Sequence, residues 1–297
     1  GYKSPYRHLD RLTRVYEYMG PAWYQREIEI PAAWKGKRIF LYFERTHWLS
    51  SVYVGKEEVS KIDYISIPHN HELTQWLHPG KKELITFCID NRYQYDTHKW
   101  DHAHSEFTQI NWNGVLGEIK LVAVDPVYVD DMQVYPDIKN KSIKVKMTVR
   151  NCTEHTASGK ISFHVTGKDY RLQKEVPVTV TDSITYIEEE MFLGKDIHLW
   201  NEFHPNLYTL DCKLTSSVEG QSYAHEKSTT FGMREVEAGE DHIILNGEPI
   251  HLRGTVENAV FPKTGYAPVD DASWERVLRI LKEYGMNHMR FHSWCPP

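Results

Sequence analysis

Ile143-Lys144-Val145-Lys146-Met147-Thr148-Val149-Arg150 alternates apolar and polar residues without a break. Successive side chains of a β-strand point to opposite faces, so this stretch puts its apolar groups on one face and its charges on the other. The same alternation returns at Ile161/Phe163/Val165, Val176/Val178/Val180 and Tyr208/Leu210/Cys212/Leu214, with turn residues between. Strands at this spacing over about 110 residues predict a small β-sandwich of immunoglobulin-like type over residues 125–236. Glu188-Glu189-Glu190 reads as its solvated strand edge and Lys139-Asn140-Lys141 as a solvated turn.

On the N-terminal side, residues 1–124 read as a second set of strands. Trp23 to Ile30 sets Tyr24, Ile28 and Ile30 against Gln25, Glu27 and Glu29, one buried face and one wet one. Arg26 falls on the apolar side and is expected to have a partner there. Pro31 ends this strand. Arg38–Phe43 is apolar enough to be buried on both faces. Further strands are expected at Val52–Val54, Ile62–Ile67, Leu84–Ile89 and Val115–Val124, with a turn at Pro79-Gly80.

On the C-terminal side the pattern changes after Gly239. Ile250-His251-Leu252-Arg253 reads as a strand and is followed by a Gly/Pro-containing loop to Val269. Asp270 or Asp271 can cap a helix in which Trp274, Val277, Leu278 and Leu281 share one face, and Gly285 stands just past its end. Asn287–Phe291 then reads as a strand. Strand, helix, strand is the opening of a parallel α/β unit. Two strands and one helix do not complete such a sheet, so residues 237–297 are expected to be the start of a longer domain.

A net charge of −6 argues against a sequence-independent nucleic-acid binder, which needs a basic face. No apolar run approaches the roughly 18 residues of a membrane span. Aromatic residues make up 12% of the chain, a supply that suits sheet cores and sugar-stacking platforms alike. The four cysteines, Cys88, Cys152, Cys212 and Cys295, are far apart and read as buried reduced thiols; a Cys152–Cys212 bridge is the alternative. The chain opens Gly1-Tyr2-Lys3, without an initiator methionine or an apolar leader, so Gly1 reads as a processing or cloning scar. Export is neither indicated nor excluded by this, and a periplasmic or secreted location is preferred to a cytoplasmic one.

Several local stretches, in order along the chain, resemble those of glycoside hydrolase family 2, which includes β-galactosidases and β-glucuronidases. They are Gly20-Pro21-Ala22-Trp23-Tyr24-Gln25-Arg26, Pro79-Gly80 with Leu84 and Asp90-Asn91, and Asn113-Gly114-Val115-Leu116-Gly117. Leu199-Trp200 with Pro205-Asn206-Leu207-Tyr208 follows, then Phe231-Gly232-Met233-Arg234 and Leu245-Asn246-Gly247-Glu248-Pro249-Ile250 with Leu252-Arg253-Gly254. The resemblance implies a jelly-roll sugar-binding domain over 1–124, the immunoglobulin-like domain over 125–236, and the first β-α-β elements of a (β/α)8 TIM barrel over 237–297. It implies the N-terminal part of an exo-acting retaining β-glycosidase, β-galactosidase-like, acting on oligo- or polysaccharides, with no cofactor and a homo-oligomer as one option. The alternative is a stand-alone carbohydrate-binding or adhesive β-sandwich protein, which would have no use for the strand–helix–strand end.

A retaining glycosidase needs two carboxylates about 5–5.5 Å apart. In the family both are glutamates on later barrel strands, so no catalytic residue is expected in these 297 residues and the chain itself is expected to be inactive. Barrel active sites lie at the C-terminal ends of the strands. On that rule the resemblance makes Glu257 and Asn258, after the first strand, and Arg290, His292 and Trp294, at the end of the second, substrate-binding candidates. Arg290 would hydrogen-bond the nucleophile, His292 would donate to a sugar hydroxyl, and Trp294 would stack on a ring. Their plainer readings are a barrel-bracing ion pair for Arg290, core for Trp294 and an ordinary loop residue for Glu257. β-Galactosidases read Arg-x-Ser-His-Tyr-Pro where this chain has Arg290-Phe291-His292-Ser293-Trp294-Cys295-Pro296. The loop from Tyr93 to Asn113 supplies Asn111, Trp112 and Asn113 as sugar contacts or, equally, as a packed loop edge. His102-x-His104 with Asp101 and Glu106 is a weak metal pattern without a second ligand pair, and no metal site is assigned. His69-Asn70-His71 reads as the tip of a strand pairing.

Overall fold

The computed structural model describes residues 18–65, 67–92, 113–258, 261, 267–292 and 296. Among them are nineteen strands and one α-helix, so the chain is mostly β. It divides into two compact units, one made of Gly1–Ala123 with Leu252–Pro297 and the other of Val124–His251.

The N-terminal part of the first unit carries seven strands: β1 (Pro21–Glu29), β2 (Arg38–His47), β3 (Leu49–Val54), β4 (Glu57–Asp63), β5 (His69–Glu72), β6 (Lys82–Asp90) and β7 (Gly114–Val124). They form two sheets, ordered β1-β6-β3-β4 and β5-β2-β7. The core lies between them, with Ile39, Leu41 and Phe43 of β2 facing Val52 of β3 and Ile85 and Ile89 of β6. Phe43 packs on Phe87 with ring centroids 4.7 Å apart. β2 departs from expectation, because only its odd-numbered residues from Ile39 to Phe43 are buried. Its other face is half-covered, and Lys120 lies over the Tyr42 ring at 4.9 Å. Arg26 is exposed on the edge strand β1 and makes no ion pair among the described residues. The expected strand at Ile62–Ile67 stops at Asp63, and Ile67 is exposed.

The second unit holds β8 (Val127–Asp137), β9 (Ser142–Asn151), β10 (Ala157–Gly167), β11 (Tyr170–Val180), β12 (Ile184–Phe192), β13 (Tyr208–Val218) and β14 (Gln221–Phe231). Its sheets are ordered β12-β9-β8 and β11-β10-β13-β14. Ile143, Val145, Met147 and Val149 are all buried, as their alternation requires, and they meet Ile161, Phe163, Val165, Leu210, Cys212 and Leu214 from the facing sheet. Glu188 lies on the edge strand β12 near Lys146 at 3.5 Å, a solvated pair. Cys212 is buried, and burial pushes its thiol up to about 12. Cys152 is exposed and not disulfide-bonded, so neither the bridge to Cys212 nor its burial holds; β9 ends at Asn151 and releases Cys152 to the surface. Cys295 lies outside the described residues.

Beyond β14 the chain makes a small antiparallel sheet of β15 (Val236–Ala238), β16 (Ile243–Leu245) and β17 (Glu248–Ile250). Asn246 and Gly247 both have positive φ, 53° and 84°, the pairing of a type I′ hairpin turn. Asn246 then reaches back. Its side chain donates to the Trp200 carbonyl at 2.9 Å and accepts from the Glu235 N–H at 2.9 Å. Arg234 stacks over Trp200 at 4.6 Å, and a Cβ on Gly232 would fall 2.9 Å from the Trp200 side chain. Three stretches that carried the family resemblance therefore hold one another in place.

The chain re-enters the first unit with β18 (Gly254–Glu257), α1 (Asp271–Glu283) and β19 (His288–Phe291). β18 and β19 are parallel, with α1 as their connection. Asp270 caps the helix by accepting from the Ser273 N–H at 2.8 Å. Gly285, at φ 75°, closes the other end, with Met286 N–H donating to Leu281 and Gly285 N–H to Lys282, the paired bonds of a Schellman cap. No residue of α1 is buried, and Leu278 stays 46% exposed on the apolar stripe. No helix among the described residues is long and apolar enough to cross a membrane.

Candidate functional site

One end of the first sandwich gathers the turns that lead into β1, β3 and β7. The register sets Pro21 and Leu49 on either side of Asp90. The Gly20 N–H donates to Asn91 Oδ1 at 2.9 Å, Asn91 Nδ2 donates to the Tyr18 carbonyl at 3.0 Å, and Asn113 Nδ2 donates to the Gly20 carbonyl at 3.0 Å. Asn113 is thus tied by its amide nitrogen to the entry of β1. Its Oδ1 is buried and accepts no hydrogen bond among the described residues. Arg45, near the end of β2, donates from Nη1 to the Glu44 carbonyl at 3.0 Å and from Nη2 to the Pro296 carbonyl at 3.2 Å. That second bond ties the sandwich to the chain just past β19.

The parallel pair sets the other candidates. Gly254 opposes His288, Val256 opposes Arg290, and Glu257 opposes Phe291; the His292 N–H then donates to the Glu257 carbonyl at 2.9 Å. A Cβ on Gly254 would stand 2.5 Å from the His288 carbonyl, so glycine lets the two strands close. The Arg253 N–H donates to Asn287 Oδ1 at 2.8 Å and its Nε to the Gly285 carbonyl at 2.8 Å, fixing both strand starts. Trp274 of α1 meets Phe291 edge-on at 5.8 Å and donates from Nε1 to the Pro268 carbonyl at 3.0 Å. The helix therefore covers the face that holds Phe291. By alternation Glu257 lies on that face, while Arg290 and His292 share the opposite one with Val256.

The first strand of this pair starts at Gly254, not at Ile250, so Glu257 lies inside the strand and Asn258 directly after it. Ile250 is taken up by the β16–β17 hairpin. Asn258 Oδ1, like that of Asn113, is buried and accepts no hydrogen bond among the described residues. Asn111, Trp112 and Trp294 lie outside the described residues, as do His98, Trp100, His102, His104 and Glu106.

The structure adds a polar cluster that the sequence reading missed. His69 and His71 do lie in a strand pairing, β5 against β2, and both are fully buried between the sheets. Ser50 Oγ lies 2.7 Å from His69 Nδ1 and 2.8 Å from His71 Nε2, and Ser60 Oγ lies 2.8 Å from His71 Nδ1. Thr46 Oγ1 is 2.9 Å from His69 Nδ1, and His69 Nε2 is 3.0 Å from the Tyr64 carbonyl. Burial lowers both imidazole pKa values, His71 to about 3, so both rings are neutral at neutral pH. A neutral imidazole has one donor and one acceptor nitrogen: two hydroxyls satisfy His71, and for His69 the Nε2–H donates to the Tyr64 carbonyl while Nδ1 accepts from a hydroxyl. The arrangement links the two sheets, and no group of three or more metal-ligating side chains occurs among the described residues. The signal was the alternation itself: His69 and His71 are two apart on a strand, on one face.

Residues 127–234 match the family model of the glycosyl hydrolases family 2. The chain is 24% identical over 277 residues to a β-galactosidase of Thermoanaerobacter pseudethanolicus, covering 92% of this chain and 36% of that one. It is 26% identical over 290 residues to a putative β-glucuronidase of Formosa agariphila, covering 94% and 26%. Among solved structures, a putative β-galactosidase from Bacteroides fragilis superposes with a TM-score of 0.78 at 18% identity, covering 97% of this chain and 44% of that one. A β-glucuronidase from Bacteroides uniformis gives 0.76 at 19%, covering 92% and 33%. At such identities the structural likenesses speak for the fold alone. The chain spans about a quarter to two fifths of the length of the curated relatives it matches.

Proposed function

We propose that this chain, a member of the glycosyl hydrolase family 2, is the non-catalytic front of an exo-acting, retaining β-glycosidase of β-galactosidase-like type. In this reading residues 1–124 are a jelly-roll domain, 125–236 an immunoglobulin-like domain, and 237–297 the opening of a (β/α)8 barrel. The observation that carries it is the parallel β18–α1–β19 unit following two β-sandwiches. Two parallel strands with an exposed helix bury too little to stand as a sheet of their own, and the other barrel strands would cover them.

The reaction needs a carboxylate nucleophile and a carboxylic acid/base, both outside these residues. What this chain supplies is orientation. Arg290 and His292 share the face turned away from α1, where Arg290 would hydrogen-bond the nucleophile and hold it ionised. His292 would donate to a hydroxyl of the terminal sugar, and Trp294 would cover an apolar ring face. The sandwich end at Asn113, with Asn111 and Trp112 before it, would close the open side of the site; the Arg45–Pro296 bond supports that placement. Asn258 and Glu257 would line the end of the first strand, with Asn258 offering its buried Oδ1. Closure around one sugar is how such contacts raise a rate, by fixing the geometry of attack.

The test compares two proteins on nitrophenyl β-galactoside and β-glucuronide. The 297-residue chain is expected to give the no-enzyme rate, and the product of the full reading frame containing it to turn over with retention at the anomeric carbon. Turnover by the 297-residue chain that Glu257→Gln abolishes would sink the proposal, as would a full-length product inactive on every β-glycoside tried.

A further inference from the structure

The outward face of the β1-β6-β3-β4 sheet holds a trough of about 570 Å³, within the roughly 300–1,000 Å³ of small-molecule sites. Its shape follows from the register. The row Trp23–Cys88–Ser51–Lys61 crosses all four strands and places its two smallest side chains in the middle. Ser51 and Cys88 are therefore a floor, only 8% and 7% exposed although they face outward. Trp23 rises from edge strand β1 on one side and is 60% exposed. Tyr53 stands in the next row, its ring centroid 5.5 Å from that of Trp23 and tilted by 42°.

Single exposed aromatics are ordinary. Here two of them, packed on each other, line one side of a depression toward which polar groups converge. Tyr53 donates its hydroxyl to Glu58 at 2.6 Å, which fixes the ring. In the row above, Asp90 is buried and is held by Arg92, whose Nε lies 3.0 Å from each carboxylate oxygen. Lys61, at the far end of the floor row, makes no ion pair among the described residues. An apolar plate, a fixed carboxylate–guanidinium pair and an ammonium around one trough suit a ring that has an apolar face and a rim of hydroxyls. A pyranose is that shape.

We propose that this trough is a glycan-binding subsite. It takes a pyranose ring over Ser51 and Cys88, against the Trp23 plate, with its hydroxyls on Lys61 and the Asp90–Arg92 pair. The inference rests on the trough alone and stands whether or not the full protein hydrolyses a glycoside. Lys61 acts on Asp90 through charge but makes no close ion pair among the described residues, so a uronic acid is the tighter ligand: its carboxylate would pair with the ammonium while a neutral sugar offers only hydroxyls.

The test is a saturation-transfer NMR titration of the 297-residue chain with methyl β-galactopyranoside and, separately, methyl β-glucuronopyranoside. Saturable binding is expected in the range of about 1 mM, usual for a single weakly held small ligand. Trp23→Ala is expected to weaken both at least ~10-fold, as truncation of an aromatic anchor does, while Trp23→Phe, which keeps a plate, stays within ~3-fold. Lys61→Gln is expected to erase the preference for the glucuronide and leave the galactoside within ~2-fold. A lack of saturable binding by both glycosides, or affinities that Trp23→Ala and Lys61→Gln leave unchanged, would overturn the proposal. Trp23→Phe and Lys61→Gln alter exposed positions, so they keep the test decisive should Trp23→Ala fold poorly.

Discussion

Acid should loosen the first sandwich well before its carboxylates titrate, through the two buried histidines. His71 is held neutral by burial, at about 3, against about 6.5 for a free imidazole. Between those values the unfolded chain binds a proton at this position and the native one does not, so stability falls as the pH falls. The slope for one such group is about 1.4 kcal/mol per pH unit, which makes roughly 2 kcal/mol between about pH 6.5 and pH 5 for His71 alone. His69 adds to this in the same direction, since burial lowers it too, while the carboxylate of Asp63 and its bond to the Tyr64 carbonyl partly oppose the shift. The neutral hydroxyls of Thr46, Ser50 and Ser60 face the rings and do not titrate. Asp90, whose pKa the Arg92 bond lowers, contributes its loss only at lower pH, below the ordinary carboxylate range. Urea melts followed by tryptophan emission, to which the fully buried Trp48 of this unit contributes, give the slope. Histidine Cε1–H shifts, assigned with His71→Gln, give the titration directly. A His71 resonance that titrates near 6.5 would refute the reasoning, and so would a His71→Gln protein with an undiminished slope over that window.

Phe163, fully buried in the second sandwich, should cost about 3–5 kcal/mol as alanine, read as a lower urea midpoint for that unit. Gly159→Ala would place a Cβ 1.9 Å from the Thr215 carbonyl on the adjacent strand, forcing backbone apart; a loss of about 1–3 kcal/mol is expected by the same assay. Asp270→Ala removes the cap on α1 and should speed amide exchange over Asp271–Glu283 without changing the melt of the second unit.

The second sandwich was legible because lysines and threonines interrupt its apolar residues at every other position, which leaves one reading of 143–150. In the first sandwich the apolar content of Arg38–Phe43 hid its alternation, since Phe40 and Tyr42 occupy the outer face half-covered. His69 and His71 escaped because histidine counts as polar in any pattern, yet a neutral imidazole between hydroxyls is at home in a core. The cap of α1 followed from spacing. The start of β18 did not, because the Asn246-Gly247 turn sends Glu248–Ile250 back against β16 before the chain can enter the parallel pair. Asn-Gly between apolar runs is itself a hairpin signal, and weighing it would have moved that strand by four residues.

The first unit is interrupted and the second is not. Val124–His251 is one continuous stretch spliced into a body made of Gly1–Ala123 and Leu252–Pro297. A ribosome finishes the inserted sandwich before it releases the segment that rejoins the first, so the sandwich can fold on its own contacts while the Arg45–Pro296 bond must wait for residues made after it. Once folded, the insert is no longer a floppy loop of more than a hundred residues: it fixes the span between its two ends, and the closure entropy left to overcome is that of the short tethers alone. Damage to the core of the second sandwich should thus appear as slow or failed assembly of the first, with every residue of that first body unaltered.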